Sequence, residues 1–248
     1  MKQPISIFMM DVTNSSKNWD EITSYLGEVE GFVKRWTRGL PHAQVRHRLG
    51  DEIVGLFDHY STAYTVAFYI SQIWKYKEQP PYFGITFGTV DTSLQQIDLD
   101  KWNHPLMRQA RLANEKIKHS SQRSSMLLLP GEATIEDTSL EMANLLLSYQ
   151  HKFMSDQTSL QQLISSLYAI LDEQKAIARL VNKSPSTISS HYKKGNCEII
   201  LNTLYTLQET LDKLEANSFG NQPHNITQEL TQTIKNELHK NIDAIISI

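Results

Sequence analysis

The sequence predicts an α+β protein, a mixed sheet with helices on one face followed by an all-helical segment. Three observations predict it. Short apolar runs alternate with amphipathic helical periods through about residue 130. A Gly-Asp pair, Gly50-Asp51, stands between two β-rich runs and signals a hairpin. Beyond about residue 135 every periodic segment has helical spacing, and glycine thins to three from Gly131 onward.

The elements follow in order. Ile5-Ser6-Ile7-Phe8-Met9-Met10 reads as a buried strand ending at Asp11. Asn18 then stands as N-cap of a helix over about 19–37, in which Ile22, Tyr25, Leu26, Val29, Phe32, Val33 and Trp36 recur at helical spacing. Gln44 to Leu49 and Ile53 to Phe57 are the hairpin arms. Ser61 to Lys77 is an amphipathic helix stopped by Gln79-Pro80-Pro81, and Tyr82 to Gly88 is the next strand. A polar loop over 91–103, a helix over Pro105 to Lys118 and a strand over Ser125 to Leu129 complete the sheet region. The order β-α-β-β-α-β-α-β is that of a ferredoxin-like palm. Helical candidates then run 137–153, 156–172, 174–181, 185–194, 197–216 and 225–248, and 218–224 reads as a linker. Two domains are expected, 1–135 and 136–248.

Composition narrows the function. At 248 residues and 40% hydrophobic content the chain can bury a substantial core, which excludes disorder as its main state. A net charge of −3 excludes a uniformly basic nucleic-acid binder. The single cysteine, Cys197, leaves no intramolecular disulfide or cysteine-rich zinc site and suits a reducing compartment. The apolar run before Asp11 is too short for a signal peptide, and no stretch approaches the roughly 18 apolar residues of a membrane span. A cytoplasmic protein without membrane association is expected.

Two acids carry the chemistry of the first region. Asp11 ends the first strand and Asp51 lies in the hairpin turn, so in a palm they converge at one edge of the sheet. Converging carboxylates repel unless a proton or cation lies between them, and Mg²⁺ with a nucleotide triphosphate suits such a pair.

Phe8-Met9-Met10-Asp11-Val12-Thr13-Asn14-Ser15 resembles the first metal-binding strand of class III nucleotide cyclases, and Leu49-Gly50-Asp51-Glu52-Ile53-Val54-Gly55-Leu56-Phe57 resembles the second. Phe83 to Val90 looks like their central strand and Ala110-Arg111-Leu112 like the following helix, so the resemblance spans about residues 5–130. It implies metal ligands at Asp11 and Asp51 and a catalytic Arg111 that stabilises developing phosphate charge. The sequence departs from that pattern at Met107, where active cyclases place an asparagine, and in 98–105, which lacks their glycine. The metal half of the site is kept and the transition-state half is not, so catalysis is not expected.

The second region carries a helix-turn-helix pattern over about 174–194. Ala178 provides the small residue where two helices cross, and Asn182 tolerates a left-handed turn. Ser184 caps the second helix and Pro185 starts it. Ile177, Val181, Ile188 and Tyr192 form the inward face. Residues 174–196 hold Lys175, Arg179, Lys183, Lys193 and Lys194 and no acid, the local positive patch that DNA requires. Ser186, Thr187, Ser189, Ser190 and His191 are expected to face the major groove. Lys183, Ser186, Thr187, Ser190 and Lys193 are the expected DNA contacts.

A Gly-Asp-Glu palm followed by a helix-turn-helix is similar to the SatD family, through about residue 215. The expected function is therefore a DNA-binding transcriptional regulator whose cyclase-like region senses a nucleotide or mediates dimerisation. The alternative is a Mg-dependent nucleotidyl cyclase or oligonucleotide synthase using Asp11 and Asp51. The nine histidines show no zinc-binding spacing, and no P-loop or nucleophile elbow occurs. Gly84 and Gly88 read as close-packing positions, and Cys197, Trp19, Trp36, Trp74 and Trp102 as core. Ile226, Leu230, Ile234, Leu238, Ile242 and Ile245 make an apolar stripe, which predicts either packing on the helix at 197–216 or the seam of a homodimer.

Overall fold

The computed structural model describes residues 2–48, 50–121, 124–131, 137–220 and 225–246. Leu49, the expected domain boundary at 135/136 and most of the expected linker lie outside these residues. The expected order of strands and helices in the first region is the observed one. Strands β1 (Gln3–Val12), β2 (Ala43–His47), β3 (Ile53–Asp58), β4 (Pro81–Val90) and β5 (Met126–Pro130) form one sheet in the order β2-β3-β1-β4-β5. Central β1 runs antiparallel to β3 and β4, while β4 and β5 are parallel. The fold is α+β with a mixed sheet and a helical C-terminal portion.

The helices cover both faces of the sheet, not one. Ile5, Ile7 and Met9 of β1 point to one side, Phe8, Met10 and Val12 to the other, and all six are buried. A strand apolar on both faces needs cover on both. Helices α1 (Trp19–Trp36) and α2 (Thr62–Gln72) share the core of Phe8 and Met10. Helix α3 (Pro105–His119) places Leu106, Met107 and Ala110 on the opposite side with Ile7 and Met9. It comes so close that a Cβ on Gly84 would collide with the Ala110 carbonyl and the Asn114 backbone nitrogen. The stretch read as a polar loop, 91–103, contributes buried Leu94, Ile97 and Leu99 to this second core. The Gln44 amide donates to the carbonyls of Leu94 and Ile97, and the Arg48 guanidinium to that of Leu99.

Two further readings of the first region are corrected. Asn18 precedes α1 but its side chain caps nothing and donates instead to Gln79. Trp19 is 44% exposed, because it opens α1 beside the β2–β3 turn rather than on the inward stripe, whereas Trp36 and Trp74 are buried.

The helical portion comprises α4 (Asp137–Ser155), α5 (Ser159–Leu171), α6 (Gln174–Leu180), α7 (Pro185–Lys194), α8 (Cys197–Phe219), α9 (Ile226–Lys240) and α10 (Ile242–Ile246). Residues Thr62 to Ile70 of α2 are buried without exception, because α2 lies between the sheet and α5, α8 and α9. One apolar core therefore runs from Phe8 to Leu238. Asn144 on α4 accepts from the Leu128 amide and donates to the Leu128 carbonyl, which occupies the outer edge of β5 as a neighbouring strand would. The C-terminal stripe is interrupted at Asn241 and buries Leu230, Ile234, Leu238 and Ile245 within the chain. Its helix packs on α1, α2 and α5 and is tied to α8 by Thr227–Asp212 and Gln208–Thr231 hydrogen bonds, so these stripe residues are covered within one chain. No helix among the described residues is long and apolar enough to cross a membrane.

Candidate functional site

The sheet brings Asp11 and Asp51 together. Asp11 follows Met9 on the α3-facing side of β1, at the end where the β2–β3 turn carries Asp51. The Asp51 carboxyl lies close enough to that of Asp11 to raise its pKa. Tyr82, directly across from Asp11 in the β1–β4 register, donates its hydroxyl to Asp11 Oδ2 at 2.8 Å. The Val12 amide donates to Oδ1 at 2.9 Å. Burial pushes the Asp11 pKa up; Tyr82 and the Val12 amide pull it back, Asp51 raises it again, and the result is about 6.

The surrounding backbone is held in place. His47 Nε2 lies 3.0 Å from the Gly50 carbonyl and steadies the turn. Buried Gln79 donates to the Asn14 carbonyl, fixing the chain that leaves Asp11. The indole of Trp19 lies over Gly50, 3.7 Å from where a Cβ would stand. Sequence reasoning missed Tyr82, Gln79 and this position of Trp19. Of the three only Tyr82 was accessible in principle, by setting Asp11 in β1 against β4.

Asp11 and Asp51 are the residues that could hold a divalent cation here, and two carboxylates alone do not enclose one. Among the described residues no group of three or more His, Cys, Asp or Glu side chains is placed to hold a metal. Mg²⁺ commonly binds through one or two carboxylates and completes its shell with waters and phosphate oxygens, which is what this pair offers. A cation between them also relieves the repulsion that helps hold Asp11 near 6. Arg111 is exposed on α3 and makes no ion pair with either acid among the described residues. Met107, beside it in the cyclase comparison, is buried in the second core. A cavity of about 440 Å³ walled in part by Trp74, Pro81, Met154, Leu163 and Ser166 holds none of these residues.

The second candidate site is built on α5, α6 and α7. Ile164 and Leu167 of α5 pack on Ile177 and Ala178 of α6 and Ile188 of α7, with Val181 and Tyr192 at the margin. Asn182 adopts φ 51°, the left-handed conformation expected of it. The Ser184 hydroxyl accepts from the Thr187 amide at 3.2 Å, and Pro185 occupies the first turn of α7.

The inward residues leave one outward face on α7. Ser186, Ser190, Lys193 and Lys194 are exposed at successive helical steps, and Lys183 is exposed in the turn before them. Thr187 is half-buried and its hydroxyl lies 2.9 Å from that of Ser184. Ser189 and His191 are also half-buried, with His191 Nδ1 enclosed, so these two do not belong to the outward face. Lys175 and Arg179 of α6 are exposed as well, Arg179 within 4.0 Å of Glu173. Cys197 is buried, and burial pushes its thiol up to about 11. No protein-family model, curated protein or solved structure matches this chain.

Proposed function

We propose that this protein is a cytoplasmic DNA-binding transcriptional regulator that meets DNA through the α6–turn–α7 unit. The observation that carries the reading is the outward face of α7. Short hydroxyls at Ser186 and Ser190 occupy the first two turns, the cations Lys193 and Lys194 follow in the last, and Lys183 stands at the helix entrance. Small hydroxyl side chains can reach base edges in a major groove, while flanking lysines neutralise phosphates. Thr187 contributes by holding the first turn of α7 through Ser184. In this reading Asp11 and Asp51 bind Mg²⁺ with a nucleotide as a sensed ligand. The test is a mobility shift with fragmented genomic DNA. Saturable binding that weakens at least tenfold in Lys183→Glu/Lys193→Glu supports the reading, since each lost phosphate contact also flattens the salt dependence. Binding that the double variant leaves unchanged, or no binding at low salt, overturns it.

The convergence of Asp11 and Asp51 favours a second reading, a Mg-dependent nucleotidyl cyclase or oligonucleotide synthase. Here the acids hold the metal and Arg111 would stabilise charge on the reacting phosphate. Incubation with each nucleoside triphosphate and Mg²⁺ or Mn²⁺, followed by chromatography, separates the two. A product lost in Asp51→Asn establishes the enzyme, and no product from any nucleotide removes it.

A further inference from the structure

Helix α4 is apolar on two sides, but the chain covers only one. Leu140, Ala143 and Leu147 are buried against the sheet and α8, and Asn144 is bound to β5. Nearly opposite them, Met142 is 64% exposed, Leu145 56%, Leu146 38% and Tyr149 55%. Their spacing of three, one and three residues places all four on one continuous line. From Met142 to Gln150 the helix has no charged residue. A helix apolar nearly all round is ordinarily buried all round. The four side chains leave on the order of 400 Å² uncovered, at the scale where an apolar patch on a monomer marks an interaction site.

We infer that this face of α4 pairs with the same face of a second copy of the chain, antiparallel across a two-fold axis. The line is its own complement. A two-fold axis beside Leu145 and Leu146 sets Met142 of one copy against Tyr149 of the other and the leucines against each other. The charges at its ends agree. Glu141 and Lys152 are both exposed on the same flank of the line, one at each end; Lys152 also pairs with Asp156 of its own chain at 2.6 Å but stays 66% exposed, so it can serve a second carboxylate. Antiparallel pairing brings Glu141 of each copy opposite Lys152 of the other, whereas parallel pairing sets like charges together. The four residues supply about half of the ~800 Å² that each partner gives a standard interface, and the flanks of a crossed helix pair supply more. This inference rests on α4 alone and not on DNA binding.

The test is sedimentation velocity on the full chain at micromolar concentration. A dimer of twice 28.5 kDa is expected. Leu145→Glu, at an exposed position, should keep the native circular dichroism and raise the dimer dissociation constant at least tenfold. Glu141→Lys should weaken the dimer, and Glu141→Lys/Lys152→Glu should restore it by reversing both charges. Leu146→Cys beside the axis should cross-link on oxidation, while buried Cys197 does not. A monomeric wild-type chain, or a dimer indifferent to Leu145→Glu, overturns the inference. A dimer weakened by Leu145→Glu but not restored by the double charge reversal overturns the antiparallel arrangement.

Discussion

His59 Nδ1 lies 2.6 Å from Glu215 Oε1, joining the end of β3 to helix α8 across 156 residues of chain. The other Glu215 oxygen accepts from the Tyr60 amide at 2.7 Å, and the pair is largely buried. Ser61, Thr227 and Asp212 continue the contact as a chain of hydrogen bonds. The sheet region and the helical portion are thus held together by ionisable groups as well as by apolar packing.

Stability should therefore decline as pH rises above neutrality. Burial alone would lower the His59 pKa, but the Glu215 carboxylate outweighs it and holds His59 above its ordinary 6.5. An imidazolium favoured in the folded chain contributes fully below pH 6.5, and the contribution is lost as pH rises through the raised folded-state value. Asp58 and Asp212, both raised mainly by burial, resist ionisation above their ordinary 3.8 and slope the same way at lower pH. Urea unfolding at several pH values should show this decline in the native chain. In His59→Gln the part above pH 6.5 should be absent, with a loss of about 1–3 kcal/mol at pH 6.

Asp11 should respond to its two neighbours in opposite directions. Asp51→Asn removes a charge that raises Asp11, so its pKa should fall from about 6 part of the way toward 3.8, burial still holding it up. Tyr82→Phe removes a hydrogen bond that lowers it, so the pKa should rise. Carboxyl ¹³C shifts followed against pH report both, and Mg²⁺ should lower the native midpoint. Shifts of the same sign in the two variants would contradict this geometry.

Glycine substitutions should separate packing from propensity. Gly84→Ala must displace the α3 backbone, and about 1–3 kcal/mol or more of stability should be lost. Gly27→Ala, exposed within α1 and meeting nothing within 4 Å, should instead gain about 0.5–1 kcal/mol. Thermal denaturation of the two variants measures the contrast.

The start of α7 should depend on its cap. Ser184→Ala removes the acceptor for the Thr187 amide and should cost about 1 kcal/mol. Asn182→Gly suits the left-handed turn and should be neutral or mildly stabilising, while Asn182→Val should cost about 1–2 kcal/mol. Hydrogen exchange at the α7 amides should follow the same order.

These local features were legible because each depends on near neighbours in sequence. Asn182, Ser184 and Pro185 announce the turn before α7, and Gly50-Asp51 announces the hairpin whatever lies elsewhere. The convergence of Asp11 with Asp51 followed once the hairpin was set beside the first strand. What could not be read depends on partners distant in sequence. The side on which α3 packs is set by Gly84 yielding space across the sheet, and the 91–103 segment is drawn inward by Gln44 and Arg48. The tail stripe carried no mark of whether its cover came from this chain or another, and α1, α2 and α5 provide it. Trp19 misled because an indole in the first turn of a helix can stay outside the stripe that the later residues define.

The burial of α2 constrains the order in which the protein can be completed during synthesis. Its residues leave the ribosome long before α8 and α9, which form part of its cover, have been made. Until α9 emerges, the part of α2 that packs on it has no permanent neighbour. The nascent chain thus carries an apolar surface through the time needed to add more than 150 residues. At the ordinary elongation rate of roughly 5–20 residues per second this is an interval of several seconds or more, long enough for a holding chaperone to engage it.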